Sequence, residues 1–216
     1  MLRRGAPAAR HRYRYLHPAA APGRAARAAR PACLSTRLLV YAYRFTPEKK
    51  LALLIDAVHR LGQPYHLLLI GGGQALPHSR QTTFMPFQRD QQALACLLAS
   101  CDMLVHPGDC ETFGLIVLEA MACGLPVVGT TGGAVAELVD EHTGILVAPN
   151  SAPRLAEGIA ALFTGDLAAM SRAACGKARE QYDWNRIMPQ LMARYAGLLA
   201  TRQRAELEAE RACVPE

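Results

Sequence analysis

No Asp or Glu precedes Glu48, while residues 1–30 carry eight Arg. The formal net charge of +6 therefore belongs to a leader; the rest of the chain holds 16 basic against 18 acidic residues. A nearly neutral body excludes a generally basic nucleic-acid-binding domain. No two of the seven cysteines (Cys33, Cys96, Cys101, Cys110, Cys123, Cys175, Cys213) stand in Cys-x-x-Cys spacing, and their number is odd. Neither a zinc framework nor a disulfide scaffold emerges. Most lie in apolar or Ala-rich stretches, which fits buried thiols in a reducing, cytoplasmic compartment. No apolar run reaches the ~18 residues of a membrane span. The longest, residues 113–130, is interrupted by Glu119 and by Gly124-Leu125-Pro126. Neither GxGxxG nor GxxxxGK[ST] occurs, so the dinucleotide and P-loop fingerprints are absent. The leader, residues 1–36, lacks an apolar segment of the secretory kind and has no Ser before Ser35. An organelle transit peptide or a nucleic-acid arm is one reading of it; its Arg/Ala/Pro composition favours a disordered extension.

What is present is a body fit to fold: 51% of the 216 residues are hydrophobic and 19% charged. Short apolar runs alternate with longer amphipathic ones. Strands are expected over residues 38–43, 65–70, 82–85, 102–106, 126–129 and 144–147. Pro47-Glu48 opens a helix whose apolar residues Leu51, Leu54, Ile55, Val58 and Leu61 share one face and which Gly62 ends. Further helices are expected over residues 90–100, 114–123, 152–162, 167–181 and 184–212. This alternation predicts an α/β fold with a doubly wound, Rossmann-like parallel sheet and C-terminal helices. The domain is expected over residues 37–200, followed by a charged, fraying tail over 201–216. Ligands of such sheets bind beyond the carboxyl ends of the strands.

The loop after the first strand reads Tyr43-Arg44-Phe45-Thr46-Pro47-Glu48-Lys49-Lys50. Two cations beside a helix start, Arg44 as a fork and Lys49 as a point charge, suit phosphate oxygens; solvated surface cations are the plainer reading. Gly71-Gly72-Gly73 after the second strand permits close approach to a ligand or a simple turn. After the fourth strand, Glu111 stands before a helix and Glu119 within it, eight steps or about 12 Å apart at 1.5 Å per residue. The free amides at the helix entry, around Thr112, Phe113 and Gly114, favour an anion, and carboxylates accept hydrogen bonds from hydroxyls. The pattern fits a phosphate flanked by two hydroxyl-rich groups; a buried ion pair or a solvent-facing Glu fits it as well.

Glu111 and Glu119, with FGL between them and EAMACGLPVVGT following, resemble the signature of retaining nucleotide-sugar glycosyltransferases of family four, which have the GT-B fold. RFTPEKKL, LLLIGGG, TTGGAVAELVDEHTGILVAP and Tyr182-Asp183-Trp184 resemble further segments of that family, in the same order. The wording HPGDCETFGLIVLEAMACGLPVVG is most similar to bacterial GDP-mannose-dependent mannosyltransferases that act on lipids. The resemblance implies catalytic roles for Arg44 and Lys49 on the donor diphosphate and for Glu111 on the transferred sugar. It implies donor contacts at Phe113, Gly114, Leu115 and Ile116, ribose binding by Glu119, base contacts at Met85 and Pro86, and a place near the nucleoside for Gly72 and Gly73. It also implies that no metal or other cofactor is bound, in keeping with the lack of an Asp-x-Asp pair near a strand end.

Two residues depart from the family pattern. Tyr43 stands where Gly is usual before Arg44, and Lys50 where Gly is usual after Lys49. The family also has an N-terminal, acceptor-binding Rossmann-like domain, and only about 37 residues precede the first expected strand here. The expectation is thus the C-terminal, donor-binding domain of a truncated or split hexosyltransferase, completed by an N-terminal domain or partner subunit. A peripheral membrane location with a lipid acceptor would fit the mannosyltransferase likeness. The alternative is a non-catalytic GT-B-like interaction or regulatory module.

Overall fold

The computed structural model describes residues 36–212. The leader lies outside the described residues except for Thr36, and so do residues 213–216 of the tail. The chain forms two compact units, one ending at Arg179 and the other starting at Glu180.

The first unit is built on six strands: β1 (Arg37–Phe45), β2 (Tyr65–Gly73), β3 (Thr82–Met85), β4 (Met103–His106), β5 (Val127–Thr130) and β6 (Gly144–Val147). They pair in parallel in the order β3-β2-β1-β4-β5-β6. The Rossmann-like α/β class expected from the sequence is the one observed. Between the strands lie α1 (Leu51–Leu61), α2 (Gln91–Ala99), α3 (Leu115–Ala122) and α4 (Val135–Leu138), and after β6 come α5 (Ala152–Leu162) and α6 (Leu167–Gln181), the last of which crosses the boundary between the units.

Strand β1 is central and reads as unbroken apolar sequence because both its faces are covered. Side chains alternate along a strand, so Leu39 and Tyr41 meet Leu54 and Val58 of α1 and Leu155 and Ile159 of α5 on one face. Val40 is equally buried on the other. Burial of each such side chain stabilises the fold by about 1.5–3 kcal/mol. The strand order reverses between β1 and β4, with β2 and β3 on one side and β5 and β6 on the other. Loops leaving the two strands at such a switch point diverge and open a crevice above their carboxyl ends.

Two local departures from the expected elements bear on that crevice. The helix expected from Pro47 is a single 3-10 turn, Pro47–Lys49, broken at Lys50 and resumed as α1 at Leu51. Lys50 is left-handed, with φ +51° and ψ +39°. Lys49 is therefore not in the first turn of an α-helix. The Gly triplet also has a packing explanation. At φ +153°, a Cβ on Gly71 would lie 1.8 Å from the Tyr43 carbonyl oxygen, and one on Gly73 would lie 2.3 Å from that of Phe45.

The second unit carries α7 (Trp184–Ala212), with Asp183 Oδ1 accepting the Asn185 N–H at 2.8 Å near its start. The helix has the bounds expected from the sequence, residues 184–212. Among the described residues, no helix is long and apolar enough to cross a membrane.

Candidate functional site

Arg44 stands exposed near the carboxyl end of β1. Lys49, one 3-10 turn further on, folds inward and is only 7% exposed. A buried ammonium needs a partner, and Glu111 from the loop after β4 supplies it: Lys49 Nζ donates to Glu111 Oε2 at 2.8 Å. The same oxygen lies 3.4 Å from Nε2 of His106, the last residue of β4, which is 1% exposed. Glu111 Oε1 accepts the Thr112 N–H at 3.2 Å. A carboxylate offers about four lone-pair sites, so this one keeps room for a hydroxyl from a ligand. The His106 imidazole and the Lys49 ammonium hold the Glu111 carboxyl well below the usual carboxylate range, against the opposing effect of burial.

The backbone beneath Glu111 is equally constrained. The Ala134 N–H donates to the Glu111 carbonyl at 2.9 Å. Gly133, at φ +63°, lies so close that a Cβ there would stand 2.8 Å from both the N and O of Glu111. Asp109 is tied across the crevice. Lys50 Nζ donates to Asp109 Oδ2 and Asn150 Oδ1, and Asn150 Nδ2 donates to Asp109 Oδ2 at 3.2 Å. Loops after β1, β4 and β6 are thereby joined, and Lys50 holds the Asp109 carboxyl below its ordinary value.

Two cavities meet at this cluster. The larger, about 520 Å³, is bounded by Arg44, Ile70, Phe87, Gln88, Arg89 and Glu119, among others. That volume suits a small-molecule site. The smaller, about 110 Å³, is enclosed by Glu111, Thr112, Phe113 and Gly114. Tyr43, Leu115 and Ile116 belong to both walls. The Tyr43 ring centroid is 5.4 Å from Arg44 Cζ and 5.4 Å from Lys49 Nζ. Helix α3 begins at this boundary, with Gly114 as its N-cap at φ +78°. Leu115 and Ile116, whose amides stand at the helix entry ahead of the first bond from Val117 N–H to the Gly114 carbonyl, line both cavities. A chain of negative charge lying along the boundary would meet Arg44 and the positive end of α3, with Glu119 to one side and Glu111 to the other.

The expected residues are thus partly gathered. Arg44, Glu111, Phe113, Gly114, Leu115, Ile116 and Glu119 line the two cavities, and Lys49 joins them through its ion pair. Gly72, Gly73, Met85 and Pro86 line neither cavity. Phe87, Gln88 and Arg89, which follow Met85 and Pro86 in the chain, line the larger cavity. Tyr43, a departure in sequence, proves central in position. A third hollow, about 720 Å³, is lined by Asp56, His59, His78 and Arg80 and contains none of the expected site residues. Among the described residues, no group of three or more His, Cys, Asp or Glu side chains is arranged to hold a metal ion.

The sequence matches the glycosyl transferases group 1 family over residues 36–165, more than half of the chain. The protein belongs to that family. A GDP-mannose-dependent alpha-(1-6)-phosphatidylinositol dimannoside mannosyltransferase of Mycobacterium tuberculosis is 32% identical over 166 residues, covering 72% of this chain and 43% of the relative. Anabaena HepE, solved in complex with UDP-glucose, is similar at 25% identity and a TM-score of 0.67, over 76% of this chain and 49% of that one. Sucrose-phosphate synthase of Thermosynechococcus elongatus is similar at 26% identity and a TM-score of 0.73, over 88% and 51%. The chain spans less than half the length of the mycobacterial relative. In this glycosyl transferases group 1 member, the cavities lined by Arg44, Glu111 and Glu119 lie at the switch point between β1 and β4.

Proposed function

We propose that this chain is the donor-binding domain of a retaining hexosyltransferase that takes a nucleoside-diphosphate sugar, with GDP-mannose as the leading candidate. The observation that carries the reading is the convergence of Arg44, the α3 entry, Glu111 and Glu119 on two adjoining cavities. In this reading the nucleoside occupies the larger cavity, with Glu119 accepting the ribose hydroxyls. The diphosphate passes Tyr43 and meets Arg44 and the α3 amides, and the sugar reaches Glu111. Lys49 has one donor committed to Glu111 and two left for phosphate oxygens.

Transfer then breaks the bond between the anomeric carbon and the diphosphate oxygen, and the electron pair leaves with the diphosphate. An acceptor hydroxyl oxygen forms the new bond on the same face, and its proton passes to the departing diphosphate. Arg44, Lys49 and the helix dipole stabilise the charge that accumulates on the leaving group, the kind of preorganised electrostatic aid that lowers such barriers most. No metal is required, because these cations supply the charge. The acceptor is read by an N-terminal domain or a partner subunit, and the likeness to the mycobacterial enzyme favours a lipid acceptor at a membrane surface.

Calorimetry of the full chain with GDP-mannose, UDP-glucose and UDP-GlcNAc tests the reading. Loss of one charge-assisted contact costs about 1.5–3 kcal/mol, so Arg44→Ala is expected to weaken the preferred donor about tenfold to a hundredfold. Glu119→Ala is expected to weaken nucleoside diphosphates with and without a sugar alike. Absence of binding at millimolar ligand, or variants indistinguishable from the wild type, refutes it.

A further inference from the structure

We propose that His106 is a positioning residue: it aims the Glu111 carboxylate into the smaller cavity through Nε2 and so governs how strongly the sugar part of the donor is held. The inference rests on the donor-site reading above.

His106 ends β4, pairs in register with Gly129 of β5 and is 1% exposed. Its ring packs 6.2 Å from that of Tyr41, at 45°. Nε2 is 3.4 Å from Glu111 Oε2, and Nδ1 is buried with no hydrogen-bond partner. A carboxylate has nothing to donate, so the hydrogen on this edge of the imidazole belongs to Nε2. The orphaned Nδ1 is the informative atom. A purely packing role at this position would be filled by an apolar ring with no polar atom to desolvate. The imidazole tolerates that cost because its other nitrogen faces Glu111.

Lys49 cannot do the same work alone. Its ammonium sits on a flexible stem and fixes one point on Oε2, about which the carboxylate can still turn. The His106 ring is locked by packing on a sheet strand, and groups held on strands are placed more accurately than groups on loops. With Thr112 N–H on Oε1, Lys49 and His106 on Oε2 fix the plane of the carboxylate.

The test separates sugar from nucleotide. Affinities of the full chain for GDP and GDP-mannose, and for UDP and UDP-glucose, are measured for the wild type, His106→Leu and His106→Gln. The Gln side chain presents an amide N–H near the place of Nε2. In His106→Leu, binding of the nucleoside diphosphates stays within about twofold, while the extra affinity contributed by the sugar falls about tenfold, the value of one charge-assisted hydrogen bond. His106→Gln restores most of it. Equal weakening of both ligand classes would mark His106 as merely structural and overturn the proposal, as would a Gln variant no better than Leu or a sugar increment that does not change. If the Leu variant fails to fold, the Gln variant and the nitrogen shifts of His106 in the wild-type chain decide. A hydrogen on Nε2 is expected, and a bare Nε2 beside a protonated Nδ1 overturns the inference. Failure of the wild type to bind any of the four ligands is distinct: it removes the donor-site reading and, with it, the role of His106.

Discussion

Breaking the Lys49–Glu111 pair should destabilise the fold by an amount that its burial sets. The two side chains are 9% and 14% exposed and 2.8 Å apart. Removing one partner of a fully buried pair costs about 3–5 kcal/mol, because the other charge is stranded. Here Glu111 retains its contacts with His106 and Thr112, so Lys49→Met is expected to cost about 2 kcal/mol, and Glu111→Gln, which leaves Lys49 facing an amide, a similar amount. The double variant strands neither charge. It should lose about 2 kcal/mol rather than 4, a coupling of about 2 kcal/mol between groups in contact. Urea unfolding at pH 7 measures all four proteins. The pH dependence has a definite sign. The Glu111 carboxyl is held below its ordinary value, so the unfolded chain takes up the proton more readily. The pair's contribution is therefore complete above about pH 5 and is lost as pH falls below the unfolded value of about 4.3 toward the depressed one. The gap between the wild type and Glu111→Gln should thus be constant from pH 5 to 8 and shrink in acid. Strictly additive single variants, or a gap that widens as pH falls, would refute the reasoning.

Other outcomes follow from the same geometry. Lys50 is left-handed, a conformation that costs a non-glycine residue about 1 kcal/mol or more. Lys50→Gly and Lys50→Ala both lose the ties to Asp109 and Asn150, so the Gly variant should be the more stable by about 1 kcal/mol in thermal or urea melts; equal midpoints would show no strain at that residue. Burial pushes the Cys123 thiol up to about 12, whereas Cys110 is exposed. Alkylation of the native protein at pH 8 with peptide mapping should label Cys110 and spare Cys123, and early labelling of Cys123 would contradict its placement.

The centre of the sheet was legible in the sequence because β1, β2, β4 and β5 carry short apolar runs, which is what burial on both faces demands, whereas the edge strand β3 (Thr82–Met85) is partly exposed and half polar. Arg44 and Glu111 stand near the carboxyl ends of β1 and β4, where ligands of such sheets bind, and Glu119 lies in the helix that follows. The partner of Lys49 was not legible, because the ion pair depends on β1 and β4 being adjacent, a fact of strand order rather than of local pattern. The break at Lys50 was hidden for a similar reason. Its left-handed backbone goes with a side chain reaching Asp109 and Asn150, 59 and 100 residues away. For Gly71 and Gly73, local pattern left a ligand contact and a simple turn open, and the close passage of the Tyr43 and Phe45 carbonyls is again a fact of the β1–β2 pairing. For the segment after β3, the wall residues lie one to four positions beyond Met85 and Pro86, since the strand ends at Met85 and the chain then turns. His106 carried only a weak sequence signal, its place at a strand end, and it is one of seven histidines; its burial beside Glu111 distinguishes it.

The central claim is that a nucleoside-diphosphate sugar lies across the two cavities between β1 and β4. A crystal structure of the full chain grown with GDP-mannose tests it most directly. The account predicts the diphosphate at Arg44 and the α3 entry, the ribose beside Glu119 and the sugar beside Glu111. A nucleotide found instead in the hollow lined by Asp56, His59, His78 and Arg80, or bound without contact to Arg44 and Glu119, would contradict it.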